Sequence, residues 1–424
     1  MLVVKPVVMR TRLASLVVAV SLLGGACGGD DGKSAVPPSQ SVHEVVSELA
    51  RVEPAPHAPV ADLVRHIDDF AFELQRLVAS ESENLVFSPA SIATAFAMAH
   101  AGASEQTQAT LEAAFGFPQA PAVHEAMNAL LRTLASAESG DLTLAIANSG
   151  WVQTGREIGQ PYLDTLATQY GAGLHTLDLQ GDSEGSRAAI NHWVAEQTRD
   201  RIPELLPEGF VNARSVYVLV NTVYLKAKWQ QIFGKYLTEP EPFTRSDGST
   251  VDVDTMHNAE LQGRYLVENG LAVVELPYLG GQLAMRVLVP DDLTALEHRL
   301  DASEWDRIES ALSSGIVDLS LPKWEIDTSI DLADPLGDLG VEIPGGDYGG
   351  IAPGIFLGQA VHGANITVDE QGTEAAAGTA LGFEESGPPT PDATIRADRP
   401  FLYAIVHQPT GLILFTGHVA DPNE

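Results

Sequence analysis

Residues 369–383 read DEQGTEAAAGTALGF, from Asp369 to Phe383. With a period of two, Thr373, Ala375, Ala377, Thr379, Leu381 and Phe383 fall on one face, while Glu374, Ala376, Gly378, Ala380, Gly382 and Glu384 fall on the other. That is strand patterning, with one side fit for burial and the other bounded by carboxylates. Ala and Gly are nevertheless poor strand formers. A segment patterned to enter a sheet, yet too weak to hold itself there, is expected to move.

The rest of the chain reads as the frame for such a segment. Helical spacing covers residues 62–80 (Leu63, Ile67, Phe70, Leu74, Leu77), 91–100, 107–115, 122–137 and 183–201. Strand patterning covers 142–151, 216–225, 271–277, 283–289, 316–321 and 401–415, the last broken by a turn at Gln408-Pro409-Thr410-Gly411. Helices come early and strands late, without regular alternation. The expected class is therefore α+β rather than a doubly wound sheet.

Lys and Arg number 24 against 57 Asp and Glu, a net charge of −33 over 424 residues. Such a field repels phosphate backbones and excludes nucleic acid as a partner. No basic cluster stands out along the sequence, which argues against a polyanionic cofactor, and no cofactor of any kind is expected. Hydrophobic residues make up 45% of the chain, enough for a sizeable core.

The N-terminus has the form of a secretory signal. Lys5, Arg10 and Arg12 precede an apolar run over 13–23, shorter than the roughly 20 residues a membrane-spanning helix needs, and Gly24-Gly25-Ala26 supply a cleavage site. Residues 1–26 are thus expected to be removed. The single cysteine, Cys27, follows at once and resembles the lipid-attachment cysteine of a bacterial lipoprotein. The usual Leu three residues before it is here Gly24, with Leu23 one place early. Ordinary cleavage leaving an incidental thiol is the alternative. Gly28 after Cys27, rather than Asp, resembles outer-membrane sorting. The expectation is an exported chain, lipid-anchored at the outer membrane or cell surface, or secreted. Residues 27–60 are polar and Pro-rich and read as a flexible tether with a short helix near 42–51, ahead of one domain over 61–424.

Catalytic patterns are weak. Gly181-Asp182-Ser183-Glu184-Gly185 matches a nucleophile-elbow string, which would make Ser183 a hydrolase nucleophile. The same residues read equally as a capped helix N-terminus. The twelve histidines have no metal-ligand spacing, and there is no phosphate loop or dinucleotide fingerprint.

Several separated segments together resemble the serpin family. They are Asn84-Leu-Val-Phe-Ser88-Pro89-Ala-Ser91-Ile92, Asn221-Thr-Val-Tyr-Leu-Lys-Ala-Lys-Trp229 with Phe233, Glu275-Leu-Pro-Tyr278, Leu321-Pro-Lys-Trp-Glu-Ile326, Arg399-Pro-Phe401, and Phe415-Thr-Gly-His-Val-Ala-Asp-Pro422. Their order matches from about residue 62 to 422. The resemblance implies an α+β domain with three β-sheets, about eight or nine helices, and an exposed reactive-centre loop. It also implies inhibition of serine endopeptidases, with cysteine endopeptidases as a second class. In that mechanism the protease is trapped as an acyl-enzyme while the cleaved loop inserts into the central sheet. A monomer that is not itself an enzyme is expected. A non-inhibitory binding protein of the same fold is the alternative.

Residue by residue, the resemblance makes Glu370, Gly372, Thr373, Glu374, Ala375, Ala376, Ala377 and Gly378 the loop hinge. No proline or bulky side chain lies between Gly372 and Ala380. His362 falls eight residues before Glu370, as the family's shutter histidine does, which implies a polar cluster with Ser88, Ser91 and Asn221, and a buried Trp229 nearby. The family's spacing from Glu370 puts the reactive bond at Ser386–Gly387. A loop one residue shorter gives Glu385–Ser386, and Phe383 is a third candidate, suited to chymotrypsin-like enzymes.

Overall fold

The computed structural model describes residues 40–137, 139, 141–268, 270–373 and 390–424. Among the described residues the helices are α1 Val60–Val78, α2 Pro89–His100, α3 Glu105–Phe115, α4 Ala122–Ser136, α5 Gln160–Thr165, α6 Ser183–Gln197, α7 Leu293–Arg299, α8 Ala302–Ala311 and α9 Ala333–Asp338. The first strands are β1 His43–Val45, β2 Leu85–Phe87, β3 Leu142–Gln153, β4 Leu174–Leu177, β5 Tyr217–Lys228, β6 Glu239–Thr244, β7 Thr250–Glu268 and β8 Leu271–Pro277. There follow β9 Leu283–Pro290, β10 Ser313–Pro322, β11 Trp324–Asp331, β12 Gln359–Asp369, β13 Gly372–Thr373, β14 Ala393–Arg396, β15 Phe401–His407 and β16 Ile413–Val419.

The α+β class is as expected. A seven-stranded sheet has the order β1-β4-β3-β5-β13-β12-β11. The second sheet runs β14-β10-β7-β8-β9-β15-β16-β2, with β6 also on β7. Two of the three expected sheets are joined here because β7 is long enough to serve both. Its first residues pair with β6 (Thr244↔Thr250), its last with β8 (Glu268↔Leu271), and β10 lies along its middle.

Helix α2 occupies the centre, touching β3 and β5 of the first sheet and β16 of the second. All twelve of its residues are buried, so it presents no polar face, and its many alanines let strands approach closely. Ser88 caps it by accepting from the Ser91 N–H at 3.2 Å, and Pro89 sits in the first turn, where a missing N–H costs nothing. Gly417 on β16 has a similar packing reason. A Cβ there would lie 1.9 Å from the Leu85 carbonyl oxygen of β2, so only glycine lets those strands pair.

Two expectations are corrected. Residues 42–51 form no helix, and the segment does not hang free as a tether. His43–Val45 instead adds an edge strand to β4, with Glu44 opposite His175. Gln40 bonds the Asp182 carbonyl and the Ser186 hydroxyl, Arg51 bonds Asn128 at 2.9 Å, and Arg132 grips Glu53 with bonds of 2.8 and 2.9 Å. The folded body therefore reaches back at least to residue 40. Helix α6 stops at Gln197, short of 201, because Arg199 and Asp200 take positive φ values of 53° and 62°.

Candidate functional site

The site lies between β5 and β12. These strands pair directly and in parallel from Val218/Gln359 to Val223/Ala364. At the far end β13 separates them, with Gly372 and Thr373 antiparallel to Asp369 and Val368 on one side and to Lys228 and Ala227 on the other. Gly372 and Thr373, two of the residues expected to form a hinge, are thus already strand members. Gly372 is required there: its φ is +150°, and a Cβ would sit 2.1 Å from the Ala227 carbonyl oxygen.

An aromatic floor supports the wedge. Thr373 shares a 2.6 Å hydrogen bond with the Tyr278 hydroxyl, and Tyr278 stacks on Trp229 at 4.5 Å between ring centroids. The Trp229 indole N–H donates to the Asp369 carbonyl at 2.9 Å, while its backbone N–H donates to Gln371 at 2.8 Å. Glu370 is clamped beside it. Its carbonyl accepts from the Phe233 N–H at 2.8 Å, and its carboxylate accepts from Thr238 at 2.9 Å and faces Lys323 at 3.4 Å. Burial alone would raise this carboxyl. Its own backbone N–H, Thr238 and the Lys323 ammonium together hold it below its ordinary value.

Further along the same two strands, His362 stands directly opposite Asn221. His362 is fully buried, and its Nε2 accepts from the Ser88 N–H at 2.9 Å. Nδ1 must therefore carry the proton, which it donates to the Asn221 side-chain oxygen. The Asn221 amide donates in turn to Ser91 Oγ at 2.5 Å and to the Asn148 side-chain oxygen. Every member of this cluster is satisfied only while β5, β12 and the start of α2 remain together. Burial pushes the His362 imidazole down to about 3, so it is neutral in this arrangement.

The structure thus brings together Ser88, Ser91, Asn221 and His362 as one cluster, and Trp229, Glu370, Gly372 and Thr373 as another. Asn148 on β3 was missed by sequence reasoning; its signal is an amide following the apolar run Leu144-Ala145-Ile146-Ala147 in mid-strand. Glu374, Ala375, Ala376, Ala377, Gly378, Phe383, Glu385, Ser386, Gly387 and Cys27 lie outside the described residues. Ser183 is not a nucleophile in an elbow. Its hydroxyl donates to the Leu179 carbonyl at 2.6 Å, and Asp182 caps α6 by accepting from the Gly185 N–H at 3.0 Å. Among the described residues no hydrogen bond joins Ser183 to a histidine.

Comparison with known proteins agrees with this geometry. A family model described as Serpin (serine protease inhibitor) matches residues 65–422. The chain is 34% identical over 372 residues to leukocyte elastase inhibitor A of Rattus norvegicus, covering 83% of this chain and 97% of that one. It is 30% identical over 381 residues to an uncharacterized serpin-like protein of Methanosarcina mazei, covering 85% and 89%. In fold it is similar to the native state of the thermophilic serpin tengpin, with a TM-score of 0.82 and 23% identity over 90% of this chain and 100% of that one.

Proposed function

The chain belongs to the serpin family, whose members generally inhibit proteases rather than act as enzymes, and we propose that it is a suicide-substrate inhibitor of serine endopeptidases. The observation that carries this reading is β13. The N-terminal leg of the loop enters the sheet between β5 and β12 and is described as far as Thr373. In the proposed reaction the protease serine attacks the carbonyl of the reactive bond. The C–N bond breaks, the new amine leaves with a proton, and an ester joins the enzyme to the inhibitor. The freed leg then lengthens β13.

Register supports that step. If insertion kept the register of Thr373, residue 374 would come opposite Lys226 and Thr367, and residue 377 opposite Val223 and Ala364, where the direct β5–β12 pairing begins. Further insertion exchanges one parallel ladder for two antiparallel ones, which pair somewhat better per residue and double the strand contacts. Thr373 bonds Tyr278, so in a strand extended by insertion Ala375, Ala377 and Thr379 would fall on the same, buried face. Small side chains there let insertion outrun deacylation.

For the target we propose a protease with a small primary pocket cutting at Ser386–Gly387, in keeping with the name of the rat relative, leukocyte elastase inhibitor A. Glu385–Ser386 would mark a glutamate-preferring enzyme and Phe383 a chymotrypsin-like one. Incubation with a panel of serine proteases tests the proposal. An inhibitor yields SDS-stable complexes, and the mass of the released peptide identifies the bond. Cleavage without any complex would refute trapping. We further propose export with a lipid at Cys27, which metabolic labelling with a fatty acid, abolished in Cys27→Ser, would test.

A further inference from the structure

Lysine is rare in this acidic chain, and its placement is uneven. The lysines among the described residues are Lys226, Lys228, Lys235 and Lys323. All four stand around the mouth through which the loop enters the sheet. Lys228 is paired with Asp141 at 2.7 Å and Lys323 with Glu370 at 3.4 Å. Lys235 is exposed and has no ion pair among the described residues. Three of the four lie within ten positions in the chain, and the fold brings Lys323 to join them.

Beside Lys235 the surface is apolar. Tyr236 is 86% exposed, the largest exposure among the big hydrophobic side chains of the described residues, and Leu237 and Ile232 are 40% and 37% exposed. Scattered single apolar residues on a surface are ordinary, but here three stand within six positions of one another, and two of them, Tyr236 and Leu237, lie together beside Gly234. The segment is held, not loose. A 3-10 turn over Lys235–Leu237 closes with the Leu237 N–H donating to Gly234 at 2.8 Å. The Tyr236 ring and the Leu237 side chain both lie over Gly234.

Its attachments place it against both legs of the loop. On one side Phe233 and Thr238 are bonded to Glu370, two residues before Gly372. On the other, Gln231 exchanges bonds of 2.6 and 3.0 Å with the backbone of Gln262. Gln262 pairs with Ile316, and the Ile316 carbonyl receives the Asp392 N–H at 2.8 Å, where the C-terminal leg rejoins the body. The segment is thus bonded directly to the stretch from which the loop leaves the body, and through Gln262 and Ile316 to the point where the loop rejoins it.

We propose that Ile232, Lys235, Tyr236 and Leu237 form a secondary docking surface for the target protease, recognising an apolar patch on that enzyme bordered by carboxylates. The inference rests on the inhibitor reading given above. A rigid, exposed tyrosine is a typical anchor at protein interfaces, because it buries much area at little entropic cost. Lys235 adds a charge opposite to the net −33 of the chain, so it selects an acidic rim that the rest of the surface would repel.

The test compares the full chain with Tyr236→Ser/Leu237→Ser and with Lys235→Glu, against a protease that forms an SDS-stable complex with the parent. The readouts are the second-order rate of complex formation and the stoichiometry of inhibition. The double variant should react about thirtyfold more slowly, the loss expected for a tyrosine anchor, with unchanged stoichiometry and thermal stability. Lys235→Glu should slow association most at low salt. Equal rates in all chains would overturn the docking surface and leave the trap intact. A slower rate with raised stoichiometry would overturn it too, since that marks a disturbed hinge. If the parent traps no protease, the inhibitor reading fails and this inference fails with it.

Discussion

Acid should open the sheet through His362. In the closed structure its Nε2 must accept the Ser88 N–H, so a proton there would break that bond and leave a charge with no solvent. Burial accordingly holds the imidazole down to about 3, against an ordinary 6.5. Once β5 and β12 part, the ring meets water and regains its ordinary affinity for protons. The opened state then binds more protons than the closed one between pH 6.5 and 3, so the closed form is stable above pH 6.5 and loses stability as pH falls. At pH 4 protonation favours the opened state by about 3.4 kcal/mol, about 300-fold in population. The rate at which the chain converts to inserted or polymeric forms, followed on native gels, should rise between pH 7 and 4 by up to that factor. His362→Gln keeps a donor toward Asn221 and an acceptor toward Ser88 but cannot titrate, so it should lose most of this dependence. His124, pushed down to about 4 by burial, adds to acid unfolding of the whole domain and serves as an internal control. Equal pH dependence in the parent and His362→Gln would refute the assignment.

Three further outcomes are expected. Asn221→Ala leaves the His362 Nδ1–H, Ser91 Oγ and the Asn148 oxygen without their partner, costing about 2–5 kcal/mol at a buried site; urea titration should show the loss, and native gels should show more polymer. Gly372→Ala drives a methyl into the Ala227 carbonyl, so β13 should leave the sheet, changing Trp229 emission and raising the stoichiometry of inhibition; an unchanged stoichiometry would contradict the wedge. Ser183→Ala loses only a bond to Leu179, about 1 kcal/mol; it should inhibit normally, and neither it nor the parent should label with a fluorophosphonate probe.

Much of the fold was legible because periodicity and caps are local. The apolar helix over 91–100 and the turn at Gln408–Gly411 could be read directly, although α2 begins two residues earlier, at Pro89 behind the Ser88 cap. The joining of two sheets through β7 could not, since nothing in a strand's own pattern says how many neighbours it serves along its length. Residues 42–51 misled for a similar reason: the apolar positions Val42, Val45 and Val46 suit a short helix or an edge strand, and only the free edge of β4 decides between them. For the site, His362, Asn221, Ser88 and Ser91 were legible through family resemblance. Asn148 and the lysine mouth were not, because each depends on contacts between residues distant in the chain.

The central claim is that the cut loop becomes a strand while the protease is still attached. The most direct measurement is the mass of the product formed when the chain meets an elastase- or subtilisin-like protease and is then denatured. Trapping should yield a covalent species equal to protease plus residues up to the reactive bond, with the remainder ending at Glu424 released as a separate peptide. A cleaved chain alone, beside fully active protease, would contradict it.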